Sequence, residues 1–264
     1  MTNLNIYIIY HKNVYNENTA GFSDLDIFTW VAVNEAIAKV DDEWIPTGRL
    51  LEEWAMPVYN PLMQMSNFYQ NSVFFHLYWN PDLLSSKYVG FAQYDMAFDR
   101  SGLQGIINGL EGDVGDKIFG AYPFEFNAIY GVLGPQDWTD CFMKPYNNYY
   151  GTSHKLEDIS DVPLLLLHTF IMPKWFFLNM MGFVDKMYVG VLRALGWNSR
   201  HLAGTLERVF ALCIAFGIKE NKFRMVGLWP GVNHIDSQHT GDSLRGISVG
   251  KGFEYRPVPK LDTT

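Results

Sequence analysis

The run Asn5–Tyr10 (NIYIIY) is short, β-branched and aromatic with almost no polar interruption, the pattern of a strand buried on both faces. Polar HKNVYNENTAGFSD follows as a loop. Ser23 or Asp24 suits a helix N-cap, and Trp30, Val33, Ile37 and Val40 then fall on one face at helical spacing, predicting a helix to about Val40. DDEWIPTGRLL reads as a turn-rich connection. Met65, Tyr69, Val73 and Leu77 recur every fourth position and predict a second helix over about Pro61–Trp79, with Pro61 in its first turn and WNPD ending it. Tyr88–Ala92 is the next buried strand.

Gly102–Gly112 is glycine-rich and predicts loops around a short helix. Lys117–Tyr122 and Asn127–Val132 read as strands, and Asp137–Asp161, aromatic and polar without a period, as a long surface loop of the kind that carries function. Leu164–Ile171 is a further strand, and a helix starts at Pro173 and runs to about Leu195. After GWNSRH a last helix ends near Gly217, with Leu206, Val209, Phe210, Cys213 and Phe216 as its buried stripe. Strands alternating with helices predict an α/β fold with a largely parallel sheet, one domain over 1–264 whose residues 221–264 form a strand-and-loop extension. Ligands of such sheets bind beyond the carboxyl ends of the strands. Attention therefore falls on YHKNV after the first strand and QYDMAFD after the Tyr88 strand.

Composition narrows the classes. With 48% hydrophobic and 18% charged residues the chain can build a large core. A net charge of −8 argues against sequence-independent nucleic-acid binding, which needs a basic footprint. Cys141 and Cys213 lie in apolar surroundings outside any CxxC pair, so a reducing compartment is expected. MTNLNIYIIYHKN lacks the features of a signal peptide. The most membrane-like run, Val162–Phe183, is interrupted by Pro163, His168, Pro173, Lys174 and Asn179 and reads as strand plus helix. A soluble, cytoplasmic protein is the expectation. GxGxxG after the first strand, Walker A, GxSxG, HExxH and zinc-like Cys/His spacings are all absent from the sequence.

Several residues could carry chemistry. Asp95, just past a strand end, is a suitable ligand for Mg²⁺ or Mn²⁺, which bind through one or two carboxylates and substrate phosphates; a turn-capping aspartate is the alternative. His11 and Lys12 could meet a base and a phosphate, or be a solvated loop pair. Thr205 could cap a helix that puts Glu207 in its first turn as a general base. If Asn198 or Ser199 caps it instead, Glu207 is an ordinary helix residue. His234, in WPGVNHIDSQHTGD, could complete a metal site. Tyr146, Tyr149 and Tyr150 in KPYNNYYGTSH suggest an acceptor-side surface for stacking on sugar rings.

Five segments in order resemble GT-A-fold glycosyltransferases, in particular the group associated with capsular and surface polysaccharide synthesis. IYIIYHKNVY resembles that group's first strand ending in a histidine–lysine pair, and SNFYQNSVFFHLYWN its asparagine-containing helix with an aromatic–tryptophan–asparagine end. YVGFAQYDMAF resembles its strand running into a polar-tyrosine motif, HTFIMPKWFF a strand-to-helix segment, and LAGTLERVFALCIAF its helix with a glutamate–arginine pair. The resemblance covers about Asn5 to Phe216.

The resemblance implies a GT-A-like (Rossmann-like) sheet and transfer of a hexosyl or pentosyl group from a UDP- or GDP-type nucleotide sugar to a glycan hydroxyl. It implies Mn²⁺ or Mg²⁺ as cofactor and an inverting displacement. By position, Tyr10, His11, Lys12, Asn71, Gln93 and Tyr94 would face the donor, Asp95 and His234 the metal, and Glu207 would be the base. One departure matters. That group usually has histidine–tyrosine–arginine–arginine where this chain has Gln93, Tyr94, Asp95 and Met96. Arginines neutralise a diphosphate directly, whereas an aspartate needs a cation between. Asp95 matches the last aspartate of the general GT-A aspartate–x–aspartate pattern, with Gln93 in the first place. Two alternatives stay open: a metal-dependent nucleotide-sugar hydrolase, and a degenerate, non-catalytic carbohydrate-binding protein.

Overall fold

The computed structural model describes residues 3–10, 26–33, 49–64, 67–94, 96–112, 115–121, 123–196, 199–220, 223–228, 232–234 and 254–255. His11, Lys12 and Asp95 lie outside these ranges. The principal sheet contains β1 (Leu4–Tyr10), β2 (Phe28–Ala32), β3 (Arg49–Glu52), β4 (Tyr88–Gln93), β6 (Lys117–Gly120), β9 (Phe170–Pro173), β10 (Arg224–Gly227) and β12 (Glu254–Tyr255). Its spatial order is β12-β10-β6-β9-β4-β1-β2-β3. All strands point one way except β9, antiparallel to β4 and β6, and the edge strand β12, antiparallel to β10. This is the α/β, mostly parallel sheet expected from the alternating pattern.

Both faces of the sheet are covered, so β1 alternates between two cores. Tyr7 and Ile9 join the larger one, with helices α1 (Asn71–Trp79), α5 (Lys174–Leu195) and α6 (Leu202–Lys219). Ile6, Ile8 and Tyr10 join the smaller one, with α2 (Arg100–Gly109). Burial on both faces is why the strands read as continuous apolar runs. In the larger core Phe74 of α1 packs against Phe91, Phe170, Phe177 and Phe210, so sheet and three helices meet at one ring.

Several local expectations are corrected. Phe28–Ala32 is the fully buried strand β2, not the middle of a helix: FTWVA is β-branched and aromatic, and each residue has a strand partner in β1. The helix expected over Pro61–Trp79 is a 3₁₀ turn at Pro61–Gln64 and then α1, separated by Tyr69 at φ +46°. Phe126–Gly131 is a 3₁₀ turn rather than a strand. Asp137–Asp161 is mostly helical: α3 (Pro135–Trp138), a π-helical turn over Thr139–Met143 and α4 (Lys144–Tyr150) bury Trp138, Phe142 and Tyr146. The last helix starts at Leu202, so Thr205 is inside it, donating its hydroxyl to the His201 carbonyl at 2.9 Å.

The Phe–His–Leu–Tyr–Trp–Asn end of α1 pins neighbouring chain. Asn80 donates to Val58 O at 2.8 Å and accepts from Val58 N at 2.8 Å, while Trp79 donates to Asp185 at 3.0 Å. Among the described residues no helix is long and apolar enough to cross a membrane.

Candidate functional site

Two short ribbons stand beyond the carboxyl ends of the parallel strands. Strand β5 (Met96–Phe98) continues the chain from β4, and β11 (Val232–His234) continues it from β10; they pair antiparallel, with His234 opposite Met96. Strand β7 (Pro123–Phe124) follows β6, and β8 (Leu164–Leu165) precedes β9; they pair with Pro123 opposite Leu165. Met96, Phe98 and Val232 belong to the smaller core, Leu164 and Leu165 to the larger. The ribbons thus flank the carboxyl edge from its two faces. Phe124 and Leu167 pack against both cores and lie across that edge.

Glu207 reaches this edge from α6. Its carboxylate accepts the backbone N–H of Leu167. Leu167 and His168 both have left-handed φ, +63° and +46°, an arrangement that costs energy for side chains with a Cβ. The segment expected as one strand over Leu164–Ile171 is split by this turn into β8 and β9. Burial pushes the Glu207 carboxyl above the usual carboxylate range, opposed by the Leu167 N–H and by the Arg208 guanidinium. A carboxylate with a raised pKa at a ligand edge can accept a proton from a weakly acidic hydroxyl.

Arg208, the next residue, holds a second element. Its Nε donates to Ala128 O at 2.9 Å and its Nη1 to Gly204 O at 2.7 Å. Consecutive residues of α6 therefore fix the turn before β9 and the 3₁₀ turn after β7. His168 is buried between Phe74 and Phe210, and neither ring nitrogen has a partner among the described residues. Burial drives its pKa down to about 3, so the ring is neutral at physiological pH.

The residues expected at the donor are divided. Tyr10 and Gln93 end adjacent strands, Ile9 pairing with Gln93, and Tyr94 follows directly. Gln93 is half-buried, whereas Tyr10 and Tyr94 are buried in the smaller core. Tyr10 packs edge-on against Trp30, and burial pushes its hydroxyl pKa up to about 12. Asn71, expected at the donor, is wholly buried: it donates to Phe68 O at 2.9 Å and Ala203 O at 3.3 Å, joining α1 to α6, and its Oδ1 has no partner among the described residues.

The tyrosines expected on the acceptor side, Tyr146, Tyr149 and Tyr150, all belong to α4. They sit on a helix, not in a loop. Tyr146 is buried against Phe142, Phe183 and Phe216. Tyr150 donates to Asn179 O at 3.3 Å, and Tyr149 lies under the Lys186 ammonium at 4.8 Å. From Glu207 to Phe216 the helix runs about 14 Å, at about 1.5 Å per residue, so this cluster is well away from the carboxyl edge. Helical spacing of Trp138, Phe142 and Tyr146 was the signal for it, obscured by the polar residues between.

Among the described residues no group of three His, Cys, Asp or Glu side chains is assembled to hold a metal. The backbone pairing of His234 with Met96 brings His234 beside the residue that follows Asp95 in the chain.

The mostly parallel sheet with β9 reversed at its centre, flanked by helices, is the GT-A-like fold expected from the sequence. Among solved structures it is similar to the apo structure of WbbM, described as a bifunctional glycosyltransferase, at a TM-score of 0.58 with 15% identity over 88% of this chain. The chain spans 45% of the length of that protein. Core-mannan synthase A (CmsA/Ktr4) of Aspergillus fumigatus, in an Mn/GDP form, matches at 0.44 with 11% identity over 88% of this chain and 74% of that one. The mannosyltransferase Ktr4p of S. cerevisiae matches at 0.38 with 13% identity over 84% and 68%. No family model and no curated protein sequence matches the chain.

Proposed function

We propose that the chain transfers a sugar from a nucleotide-diphosphate donor to a hydroxyl of a glycan acceptor, with inversion at the anomeric carbon. The observation that carries this reading is the position of Glu207. Its half-buried carboxyl, with a raised pKa, stands at the ligand edge of a sheet with a GT-A-like fold, where the ends of β1 and β4 also lie. Glu207 takes the proton of the acceptor hydroxyl. That oxygen forms the new bond to the anomeric carbon, and the bond to the diphosphate breaks with its electron pair leaving on phosphate oxygen.

On the donor side the reading assigns Tyr10, His11, Lys12, Gln93 and Tyr94 to the nucleotide. Asp95 and His234 are assigned to a divalent cation, with support from the β5–β11 register. A carboxylate oxygen with an imidazole nitrogen suits Mn²⁺ better than Mg²⁺, which prefers oxygen alone. When bound, the cation would offset the negative charge on the leaving diphosphate. Cys141 and Cys213 are both buried and unpaired, which fits a reducing, cytoplasmic setting.

A second reading, a non-catalytic carbohydrate-binding protein, is favoured by Gln93 in the place of an acidic residue. Thermal stabilisation against nucleoside diphosphates and nucleotide sugars, each with Mn²⁺ and with EDTA, separates the two. A metal-dependent shift with one nucleotide, lost in Asp95→Ala, is expected. No shift with any nucleotide would leave the second reading.

A further inference from the structure

The two carboxylate oxygens of Glu207 are not equivalent. Oε1 accepts the Leu167 N–H. Oε2 makes no hydrogen bond among the described residues, and on this half-buried side chain it keeps contact with solvent. Arg208 on the same helix is the charged side chain that acts on the carboxyl, and its own hydrogen bonds go to Ala128 O and Gly204 O. The adjoining turn brings only His168, whose ring is neutral at physiological pH.

The amide that holds Oε1 belongs to a turn fixed at each of its residues. Left-handed φ at Leu167 and His168 persists only where the surroundings over-determine it. Here they do. Thr169 is buried and donates its hydroxyl to Leu167 O at 2.9 Å. Its own carbonyl accepts the Ala121 N–H at 3.1 Å, which ties the turn to the residue after β6. The His168 ring packs 5.0 Å from Phe74 and 5.5 Å from Phe210. Both the N–H and the carbonyl of Leu167 are therefore committed, one to α6 and one to Thr169. A glutamate side chain that would otherwise sample several rotamers is held by one oxygen, and the cost of ordering it is met on folding.

We infer that the Leu167–Thr169 turn is a positioning element for the base: it commits Oε1 of Glu207 to the Leu167 N–H and leaves Oε2 as the atom that takes the acceptor proton, with Thr169 as the side chain that sets the turn. The inference rests on the transferase reading above and deepens it.

Carbon-13 NMR of the Glu207 carboxyl, titrated in the whole chain, tests the geometry without any substrate. Replacing Leu167 by its α-hydroxy analogue during in vitro translation turns the amide into an ester and removes the N–H while keeping the side chain. An N–H donated to the ionised form favours it, so its loss should raise the titration midpoint by about one to two pH units. Thr169→Val should move the midpoint the same way by a smaller amount, and Thr169→Ser, which restores the hydroxyl, should not. A midpoint unchanged in the ester would overturn the hold on Oε1. Equal effects of Thr169→Val and Thr169→Ser would overturn the role of the hydroxyl.

Transfer from UDP-glucose, UDP-galactose and GDP-mannose to methyl glycosides, each with Mn²⁺, supplies the second readout. Thr169→Val should lower kcat roughly tenfold to a hundredfold with little change in KM, as expected for a displaced reacting group, and Thr169→Ser should recover it. A kcat unchanged in Thr169→Val and in the ester, with activity lost in Glu207→Gln, would overturn the positioning and keep the base. Full activity in Glu207→Gln, or no transfer by the unaltered chain, would remove the base reading and with it the proton-accepting role of Oε2, while the NMR titration still decides whether the turn holds the carboxylate.

Discussion

His76 and Glu53, both wholly buried, are joined by a 2.6 Å hydrogen bond between Nδ1 and Oε1. The other ring nitrogen accepts the Asn60 N–H at 3.0 Å, so the hydrogen sits on Nδ1 and the ring donates to the carboxylate. The pair clamps the segment after β3 onto α1, with Tyr59 packed on the imidazole at 5.0 Å. Its second carboxylate oxygen has no partner among the described residues.

Removing one partner leaves an unpaired buried polar group. His76→Leu is expected to destabilise the fold by about 3–5 kcal/mol. His76→Leu combined with Glu53→Leu should cost less than His76→Leu alone. Urea unfolding with a shared m-value measures both. A double variant no more stable than His76→Leu would show that the pair contributes mainly through the packing of its side chains.

Gly120 ends β6 directly beneath Leu165. A Cβ at Gly120 would fall 2.2 Å from Leu165 Cδ2 and 2.5 Å from Cδ1. Gly120→Ala should therefore cost about 1–3 kcal/mol through overpacking. Leu165→Ala in the same chain should recover part of it, giving a non-additive double-mutant cycle. Additive costs by denaturant unfolding would place the strain elsewhere.

Glu207 must be ionised to accept a proton, and burial raises its pKa. The acid limb of the kcat/KM profile should then lie above the ordinary glutamate range. Glu207→Gln should lower kcat by about 10²–10⁴ and remove that limb. In stability the sign runs the other way. The folded state holds this proton more tightly than the unfolded chain, so Glu207 subtracts stability as pH rises through its raised pKa, and the Glu207→Gln variant should lack that loss. An acid limb unchanged in Glu207→Gln would assign the base to another group.

His168 behaves oppositely. Its pKa falls to about 3 on folding from an ordinary value of about 6.5. The unfolded chain takes up this proton first, so stability is lost as pH falls from about 6.5 towards about 3. His168→Leu should flatten the dependence by up to about 1.4 kcal/mol per pH unit in that window. Equal slopes for variant and unaltered protein in acid-dependent urea titrations would show that His168 is protonated without unfolding.

The strands were legible where burial on both faces made them apolar throughout. NIYIIY and the Tyr88 strand lie where the sequence puts them, and the helix after Pro173 runs to Leu195 as expected. The break inside Leu164–Ile171 was not legible, because Leu167 and His168 adopt left-handed φ without Gly, Asn or Asp. Their conformation is held by Glu207, forty residues away in sequence. Glu207 itself was readable only as one of two helix registers, since its partner is a backbone amide with no side-chain signature. The tyrosines of α4 misled for a related reason: Tyr146 is amphipathic, and the polar residues around it concealed a helical stripe.

The reversed strand also sets an order of assembly on a chain synthesised from its N-terminus. Strands β1 to β4 can pair once residue 93 has emerged, whereas β6 reaches that half-sheet only through residues 170–173. Strand β10 comes later still, and the β5–β11 ribbon waits for residues 232–234. The late step joins segments far apart in sequence, the slow kind of contact. A nascent chain stalled before β9 would hold β1 to β4 without the reversed strand that joins them to β6 and β10. The carboxyl edge of the sheet is thus completed last, by the segments that come latest in the chain.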